Sequence, residues 1–165
     1  GDNIIVNPSL EEMDGETPKG WTKRTYGGQV EYAVSTEAKT GKRSLEIKST
    51  AGVDGSWFTN VELRPNTEYR LSAWIKTEGV RGAHGALLNV HELQHKGKTN
   101  ALQKRNDWTQ VEKIFNSERG GNMSVNLLFG GWGMSTGTAW YDDVALQAMT
   151  PVFKKPSETP IVGDL

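Results

Sequence analysis

The sequence predicts an all-β domain, an antiparallel β-sandwich of two sheets, and three observations support this class. Apolar and polar residues alternate in short runs, with the period of a half-buried strand. Turn-forming residues separate these runs, and no βαβ alternation indicates a parallel sheet. The composition agrees, because the 165 residues include 19 glycines and only 35% hydrophobic residues, a balance typical of short strands and many turns.

Each predicted strand follows from this alternation. The clearest is residues 69–76, where Tyr69, Leu71, Ala73 and Ile75 share one face and the residues between them share the other. Similar runs predict further strands at 29–35, 43–49, 59–63, 109–115, 123–129 and 138–146. With shorter segments included, we expect about eight to ten strands in total.

The composition changes near the C-terminus. Residues 1–148 are predicted to form the sandwich, whereas residues 149–165 contain three prolines with charges and hydroxyls. This second segment is typical of an extended linker or C-terminal tail. A linker here predicts that the sandwich is one module of a longer protein. The alternative is an arm that packs on its own domain.

Charge and composition exclude several classes. The net charge of −1 predicts no nucleic-acid partner. The chain has no cysteine, which excludes a disulfide framework, a thiolate metal site and a cysteine nucleophile. No apolar run approaches the ~18 residues of a membrane span. Because Gly1-Asp2-Asn3 does not open a signal peptide, we expect any targeting segment to have been removed before this start.

Five segments, in order, carry a family resemblance. They are 3–11 with Gly20-Trp21 after it, 37–47, 63–76, 108–115 and 140–146. Together they resemble the jelly-roll carbohydrate-binding modules of families four, nine, sixteen and twenty-two, across about residues 3–147. The resemblance implies a jelly roll that binds a glycan. One departure is Leu10, where these modules usually carry an aromatic residue, and we interpret it as a change in the core.

Residues 91–95 read His-Glu-Leu-Gln-His, which matches the H-E-x-x-H signature of zinc metalloproteases. The signature requires a helix, where the two histidines lie about 5–6 Å apart on one face. On a strand the same spacing separates them by roughly 13 Å. Glycines at 79, 82, 85 and 97 bracket the segment closely. We therefore expect the end of a strand that runs into a loop, and no zinc site.

A calcium site is the predicted cofactor site. Acidic residues stand in separated segments, Glu11 near the start, Glu37 before the second strand and Asp142 near the end, and such oxygen ligands suit Ca²⁺. The resembled modules hold a structural calcium between the first and last strands. The resemblance places it on Glu11, Glu37 and Asp142, with backbone carbonyls near Ser9 and Thr40.

The six tryptophans divide into two groups. Trp21, Trp108 and Trp140 fall within core-strand segments and are predicted to fill the core. The others are candidates for exposure and for stacking on a sugar ring. Trp57 sits after Gly52-Val53-Asp54-Gly55 in a glycine-flanked loop, Trp132 stands among glycines, and Trp74 lies on the face opposite Leu71 and Ile75. We rank Trp132 first, Trp57 second and Trp74 third.

Polar residues on the outward faces of strands predict where the ligand binds. Asn89 and His91 share one face, as do Ser124 and Asn126, and Arg70 flanks Trp74. If these strands are neighbours, their outward faces form a groove of amide, imidazole, guanidinium and indole groups. The alternative is a site in the end loops, formed by Trp57, Arg81, His84 and Trp132.

The leading hypothesis is a non-catalytic carbohydrate-binding module. It would be a monomer that brings an appended protein to a polysaccharide or oligosaccharide, in a secreted, periplasmic or cell-surface setting. A second hypothesis keeps the sandwich as a structural or interaction domain without sugar binding. A third is an enzyme, either the zinc peptidase above or a jelly-roll lyase that uses histidine and tyrosine. No Ser-His-Asp spacing, phosphate loop or close carboxylate pair supports the third.

Overall fold

A computed structural model describes residues 1–149 as an all-β domain. The strands are β1 (Met13–Asp14), β2 (Thr17–Pro18), β3 (Thr22–Gly28), β4 (Glu31–Ser35), β5 (Ser44–Leu63), β6 (Glu68–Gly82), β7 (Gly85–Val90), β8 (Lys104–Asn116), β9 (Gly121–Gly130) and β10 (Ser135–Ala148). A 3₁₀ helix, His91–Gly97, follows β7. No helix in this part of the chain has the length and apolar character to cross a membrane. The predicted linker or tail, residues 149–165, lies outside the described residues except for Met149.

The strands form one curled antiparallel sheet beside a small β1–β2 hairpin. The order is β7-β9-β5-β10-β6-β8, and β3 and β4 also pair with β5. The 20-residue strand β5 joins the two halves, because residues 44–53 pair with β4 and β10 and residues 53–63 pair with β3 and β9. The sheet thus folds over as a jelly-roll-like β-sandwich, which confirms the predicted class.

The core lies between the two halves of the sandwich and follows the predicted alternation. In β6, Tyr69, Leu71, Ala73 and Ile75 are all buried, while Trp74 on the opposite face is half-buried. We call the face toward this core the inner face of each strand and the opposite side its outer face. Burial of apolar surface on the inner faces is the main driving force for the fold.

Trp57 shows where the prediction of a loop is wrong. It lies inside β5, is 2% exposed, and its indole N–H donates to the carbonyl oxygen of Glu46 at 3.1 Å. The glycines that suggested a loop have another cause. A Cβ atom on Gly55 would lie 2.4 Å from Tyr32 Oη, so this glycine allows a close approach between strands.

Two tryptophans expected in the core lie at its outer side instead. Trp21 is 4% exposed and buried as predicted, but Trp108 and Trp140 are half-buried. Trp140 pairs in register with Lys76 on the outer face, and its indole N–H donates to Glu46 Oε1 at 2.7 Å. Trp108 lies at an irregularity of the β6–β8 pairing, where the alternation that predicted its direction is interrupted.

Candidate functional site

An aromatic cleft of about 200 Å³ lies on the outer face of the half of the sheet that contains β9 and β7. Its floor consists of Asn89, Asn126 and Leu128. The register pairs Asn89 directly with Asn126, and Asn126 Nδ2 donates to Asn89 Oδ1 at 2.9 Å. The strands of Asn89 and Asn126 are therefore neighbours, which is the condition under which the sequence predicts a groove on their outer faces. The paired amides present fixed polar groups at the bottom of a depression with aromatic walls.

One wall of the cleft is the pair of Tyr26 and His91. Their rings are stacked, with centroids 5.9 Å apart and an interplanar angle of 4°. Tyr26 Oη lies 3.4 Å from His91 Nδ1. Tyr26 belongs to β3 and is 45% exposed, so its ring offers a flat surface to a ligand.

The other wall is Trp132, which is also 45% exposed. The His95 ring stacks on its indole at a centroid distance of 4.4 Å, and the His84 ring lies tilted at 5.1 Å. The indole N–H donates to Gln94 Oε1 at 3.2 Å. These contacts hold the ring in one orientation before any ligand arrives, which lowers the entropy cost of binding.

The backbone explains why Trp132 is exposed. Gly130, Gly131 and Trp132 all have positive φ, with values of 98°, 82° and 53°. A left-handed run of this kind favours glycine and turns the chain sharply after β9. The indole therefore leaves the sheet surface instead of packing on it, as the surrounding glycines predicted.

The H-E-x-x-H segment supplies one residue to each wall. It forms a 3₁₀ helix after β7, interrupted at Gln94, where φ is 51° and ψ is −122°. The strand end was predicted and the short helix was not. His91 stacks on Tyr26 and His95 stacks on Trp132, so the two histidines serve different walls. The Glu92 carboxylate accepts the backbone N–H of Ser124 at 2.8 Å.

We expect the purified protein to contain no stoichiometric zinc, because His91 and His95 each stack on a different aromatic ring and do not face each other across a shared metal position. Elemental analysis of the wild type and of His95→Ala tests this expectation, and both should give the same low zinc content. One zinc per chain that disappears in His95→Ala would show instead that the two histidines share a metal.

The predicted site residues are partly brought together. Asn89, His91 and Asn126 from the predicted sheet face meet Trp132 from the predicted end loop, so the cleft combines both alternatives. His84 also reaches this region, with Nδ1 2.9 Å from the carbonyl oxygen of Gly131.

Four other candidates lie elsewhere. Trp57 is in the core. Arg70 donates from Nε to Glu112 on β8 at 2.7 Å, and the ammonium of Lys39 lies 4.5 Å from the Trp74 ring on the outer face of β6. Arg81 lines a separate groove. Arg70, Trp74 and Arg81 all lie in β6, and they are far from the cleft because β6 pairs with β8 and β10 in the other half of the sheet.

Sequence reasoning missed four residues in or beside the cleft: Arg24, Tyr26, Asp54 and Gln94. Residues 22–28 contain hardly any apolar residue, and Gly27-Gly28 indicates a turn, so no strand was predicted there. A signal did exist, because Arg24 and Tyr26 share one face under strand periodicity. Burial raises the pKa of Asp54, whose carboxylate accepts the Gly131 backbone N–H at 3.1 Å.

The predicted calcium ligands gather around one turn, residues 37–43. Asp142 is fully buried, and its Oδ2 accepts the backbone N–H groups of Lys39 and Thr40 at 2.9 and 3.2 Å. Burial raises the pKa of Asp142 to about 6, against the opposing effect of these hydrogen bonds. Glu11 binds the other end of the turn, through the N–H groups of Lys42 and Arg43.

The donor set fits a calcium ion only in part. Within residues 1–149, no three Asp, Glu, His or Cys side chains form a group that could hold a metal. The Glu37 carboxylate pairs with the ammonium of Lys76, and Thr40 Oγ1 donates to Asp143. Each carboxylate oxygen of Glu11 accepts one hydrogen bond, and so does Oδ1 of Asp142. These three oxygens therefore keep an unused lone pair for a cation. Backbone carbonyls would have to supply the other ligands.

The jelly-roll-like sandwich and its aromatic, amide-floored cleft agree with the class of carbohydrate-binding modules, and the family comparison establishes this class. The sequence matches the carbohydrate binding domain family CBM_4_9 over residues 2–136, and the chain belongs to this family. The family match agrees with the resemblance identified from the five segments.

The chain is also similar to part of a much larger protein and, in fold, to solved carbohydrate-binding modules. The chain is 28% identical over 162 residues to the tRNA nuclease WapA of Bacillus subtilis (strain 168), covering 88% of this chain and 7% of WapA. Among solved structures, TmCBM61 in complex with β-1,4-galactotriose has a TM-score of 0.62 at 18% identity, covering 90% of this chain and 100% of that one. The CBM22-1 xylan-binding domain of Paenibacillus barcinonensis Xyn10C has a TM-score of 0.60 at 17% identity, covering 92% and 97%.

Proposed function

We propose that this carbohydrate-binding module binds a glycan in the aromatic cleft between Tyr26 and Trp132. The flat C–H faces of a sugar ring stack on aromatic rings, while its hydroxyls need hydrogen-bond partners. Tyr26 and Trp132 supply two exposed rings, and the amides of Asn89 and Asn126 supply donors and acceptors between them.

The observation that carries the proposal is the held but exposed indole of Trp132. A tryptophan that is 45% exposed, yet stacked on His95 and hydrogen-bonded to Gln94, is a preorganised platform. Such a platform gains apolar contact on binding and loses little side-chain entropy. Amide groups that already bond to each other, as Asn89 and Asn126 do, are likewise set in direction before the ligand binds.

Binding to a panel of soluble and insoluble polysaccharides tests the proposal, and at least one glycan should bind and quench the tryptophan fluorescence. The volume of the cleft, about 200 Å³, suits a short stretch of sugar chain and no large ligand. A panel without any binding would support the second hypothesis, a structural or interaction domain.

We further propose that the module acts without catalysis inside a longer protein. The chain spans 7% of the length of the WapA relatives that it matches. A module of this size would bring the rest of the parent protein to its polysaccharide target through multivalency and raised local concentration. The name of the relatives does not assign a nuclease function to this domain. We also propose a secreted, periplasmic or cell-surface setting for the module.

A structural calcium ion is also part of the proposal, on Glu11 and Asp142 with carbonyls of the 37–43 turn. Both carboxylates already hold this turn, Glu11 from the first segment and Asp142 from β10. A divalent cation there would neutralise a fully buried carboxylate that is costly to ionise. Glu37 is left out of this set because Lys76 occupies its carboxylate.

Chelation of calcium should therefore lower Tm. At a concentration about a hundredfold above Kd, a ligand adds about 2.7 kcal/mol of stability, or on the order of 5–10 °C in Tm for a domain of this size. Thermal unfolding of each variant with and without chelator measures the response. Asp142→Ala and Glu11→Gln should abolish it, and the control Glu37→Gln should keep it. An equal Tm with and without chelator in the wild type would eliminate the site.

A further inference from the structure

Arg24 stands beside the aromatic cleft without an acidic partner. Its guanidinium takes part in no ion pair within residues 1–149, in contrast to Arg70 and Arg105, which pair with Glu112 and Glu78. Its Nε is buried and has no hydrogen-bond partner in the same part of the chain. A charge that is half-buried and unpaired is costly, so an arginine in this environment favours an anion from outside.

Contacts with the cleft hold this guanidinium in place. Arg24 Nη2 donates to Oδ1 of the floor residue Asn126 at 2.9 Å. The guanidinium carbon lies 4.1 Å from the centre of the Phe58 ring and 5.5 Å from that of Tyr26. The guanidinium therefore has a fixed position between the floor of the cleft and the wall formed by Tyr26 and His91. Its Nη1 keeps two N–H groups for a ligand.

Within residues 1–149, neither of the two acidic side chains nearest the cleft forms an ion pair with Arg24. Asp54 accepts the backbone N–H of Gly131, next to the Trp132 wall. Glu92 is occupied by the Ser124 backbone N–H. The other ionisable side chains that line or support the walls are Tyr26 and the histidines at 84, 91 and 95, none of which is a carboxylate.

We propose that the aromatic cleft selects an acidic glycan, with an anionic group of the sugar chain paired to Arg24. This inference rests on the proposed glycan-binding function and narrows its ligand class. The planar guanidinium donates in the geometry that a carboxylate or a phosphate oxygen pair accepts, and such charge-assisted bonds are about twice as strong as neutral ones. A uronic acid residue and a phosphorylated sugar share this chemistry, and they are separated by the choice of probe.

The test compares matched polymers that differ only in charge. Polygalacturonate and alginate are each paired with their carboxyl-reduced forms, and a phosphomannan is paired with its dephosphorylated form. We expect the wild type to bind at least one acidic polymer at least tenfold more tightly than its neutral counterpart. This preference should weaken as salt is raised, because salt screens exposed charges. The pair that shows the preference identifies the carboxylate or the phosphate.

Two arginine variants with the same net charge locate the effect. Arg24→Gln should bring the ratio of acidic to neutral affinity close to one, because both polymers lose the same contacts with the cleft and only the acidic polymer also loses an ion pair. Arg64→Gln, a change at an exposed arginine in the turn after β5, should keep the preference. Far-ultraviolet circular dichroism and thermal unfolding establish that both variants are folded, and the wild-type comparison stands even if one is not.

The outcomes separate this inference from the function on which it rests. If a neutral glycan binds in a Trp132-dependent manner and no acidic polymer binds more tightly than its neutral form, the inference is overturned and the proposed function stands. If no glycan binds at all, both are overturned. An acidic preference that Arg64→Gln removes as much as Arg24→Gln does would reflect the overall charge and would also overturn the role of Arg24.

Discussion

Trp57→Ala should lower the free energy of unfolding by about 3–5 kcal/mol, the range of core aromatic truncations. The residue is 2% exposed and belongs to the hydrophobic core. Its ring meets the Tyr32 ring edge-on at 5.5 Å, and its indole N–H donates to the Glu46 carbonyl. Truncation would leave a cavity and remove the hydrogen bond to the Glu46 carbonyl at the same place. Urea unfolding followed by circular dichroism measures the change.

Trp74→Ala is the matched control for this prediction. Trp74 is half-buried on the outer face of β6, so its truncation removes less buried surface and opens no enclosed cavity. We expect Trp74→Ala to lower the free energy of unfolding by less than half as much as Trp57→Ala does. A loss below about 1 kcal/mol for Trp57→Ala would show that β5 does not hold this residue in the core.

Trp132→Ala should weaken glycan binding by about 1–3 kcal/mol, or up to about a hundredfold, as truncation of a central aromatic anchor does. The change removes one wall of the cleft, with its stack on His95 and its hydrogen bond to Gln94. It should leave the unfolding free energy nearly unchanged, because the ring is 45% exposed and lies outside the hydrophobic core cluster. Isothermal titration with the glycan that binds the wild type measures the loss.

Trp74→Ala again serves as the control, since Trp74 does not line the cleft. It should keep wild-type affinity, although the sequence made Trp74 a candidate for stacking. If Trp132→Ala retains full affinity while Trp74→Ala loses it, the ligand binds the outer face of β6 and the cleft is not the site. Equal loss in both variants would indicate contact with two separate surfaces.

The strand pattern was largely predictable because one face of each strand is buried. In β6 the alternation of Tyr69, Leu71, Ala73 and Ile75 reads directly as an inner face, and the structure confirms it. The same periodicity placed Asn89 and Asn126 on outward faces, and the register shows them paired. Turn chemistry around Trp132 also predicted an exposed ring, because glycines leave nothing to bury it.

The errors arose where a local signal has two physical causes. Gly52 and Gly55 suggested a loop before Trp57, but glycine also serves where two strands approach closely, as Gly55 does against Tyr32. The H-E-x-x-H spacing likewise says nothing about the backbone that carries it. Gln94 has a left-handed φ of 51°, and this break in the 3₁₀ helix directs the two histidines to different rings.

The sequence alone established the class of fold, the family, the faces of the strands and an exposed Trp132, because all four depend on local periodicity, segment order and turn chemistry. Only the tertiary structure decided which outward faces form the cleft. Tyr26 and His91 are 65 positions apart and Arg24 and Asn126 are 102 apart. Each pair meets because β3 and β9 both pair with β5, and because β7, which precedes His91, pairs with β9. Strand periodicity specifies a direction for each side chain, whereas the order of strands in the sheet specifies its neighbours.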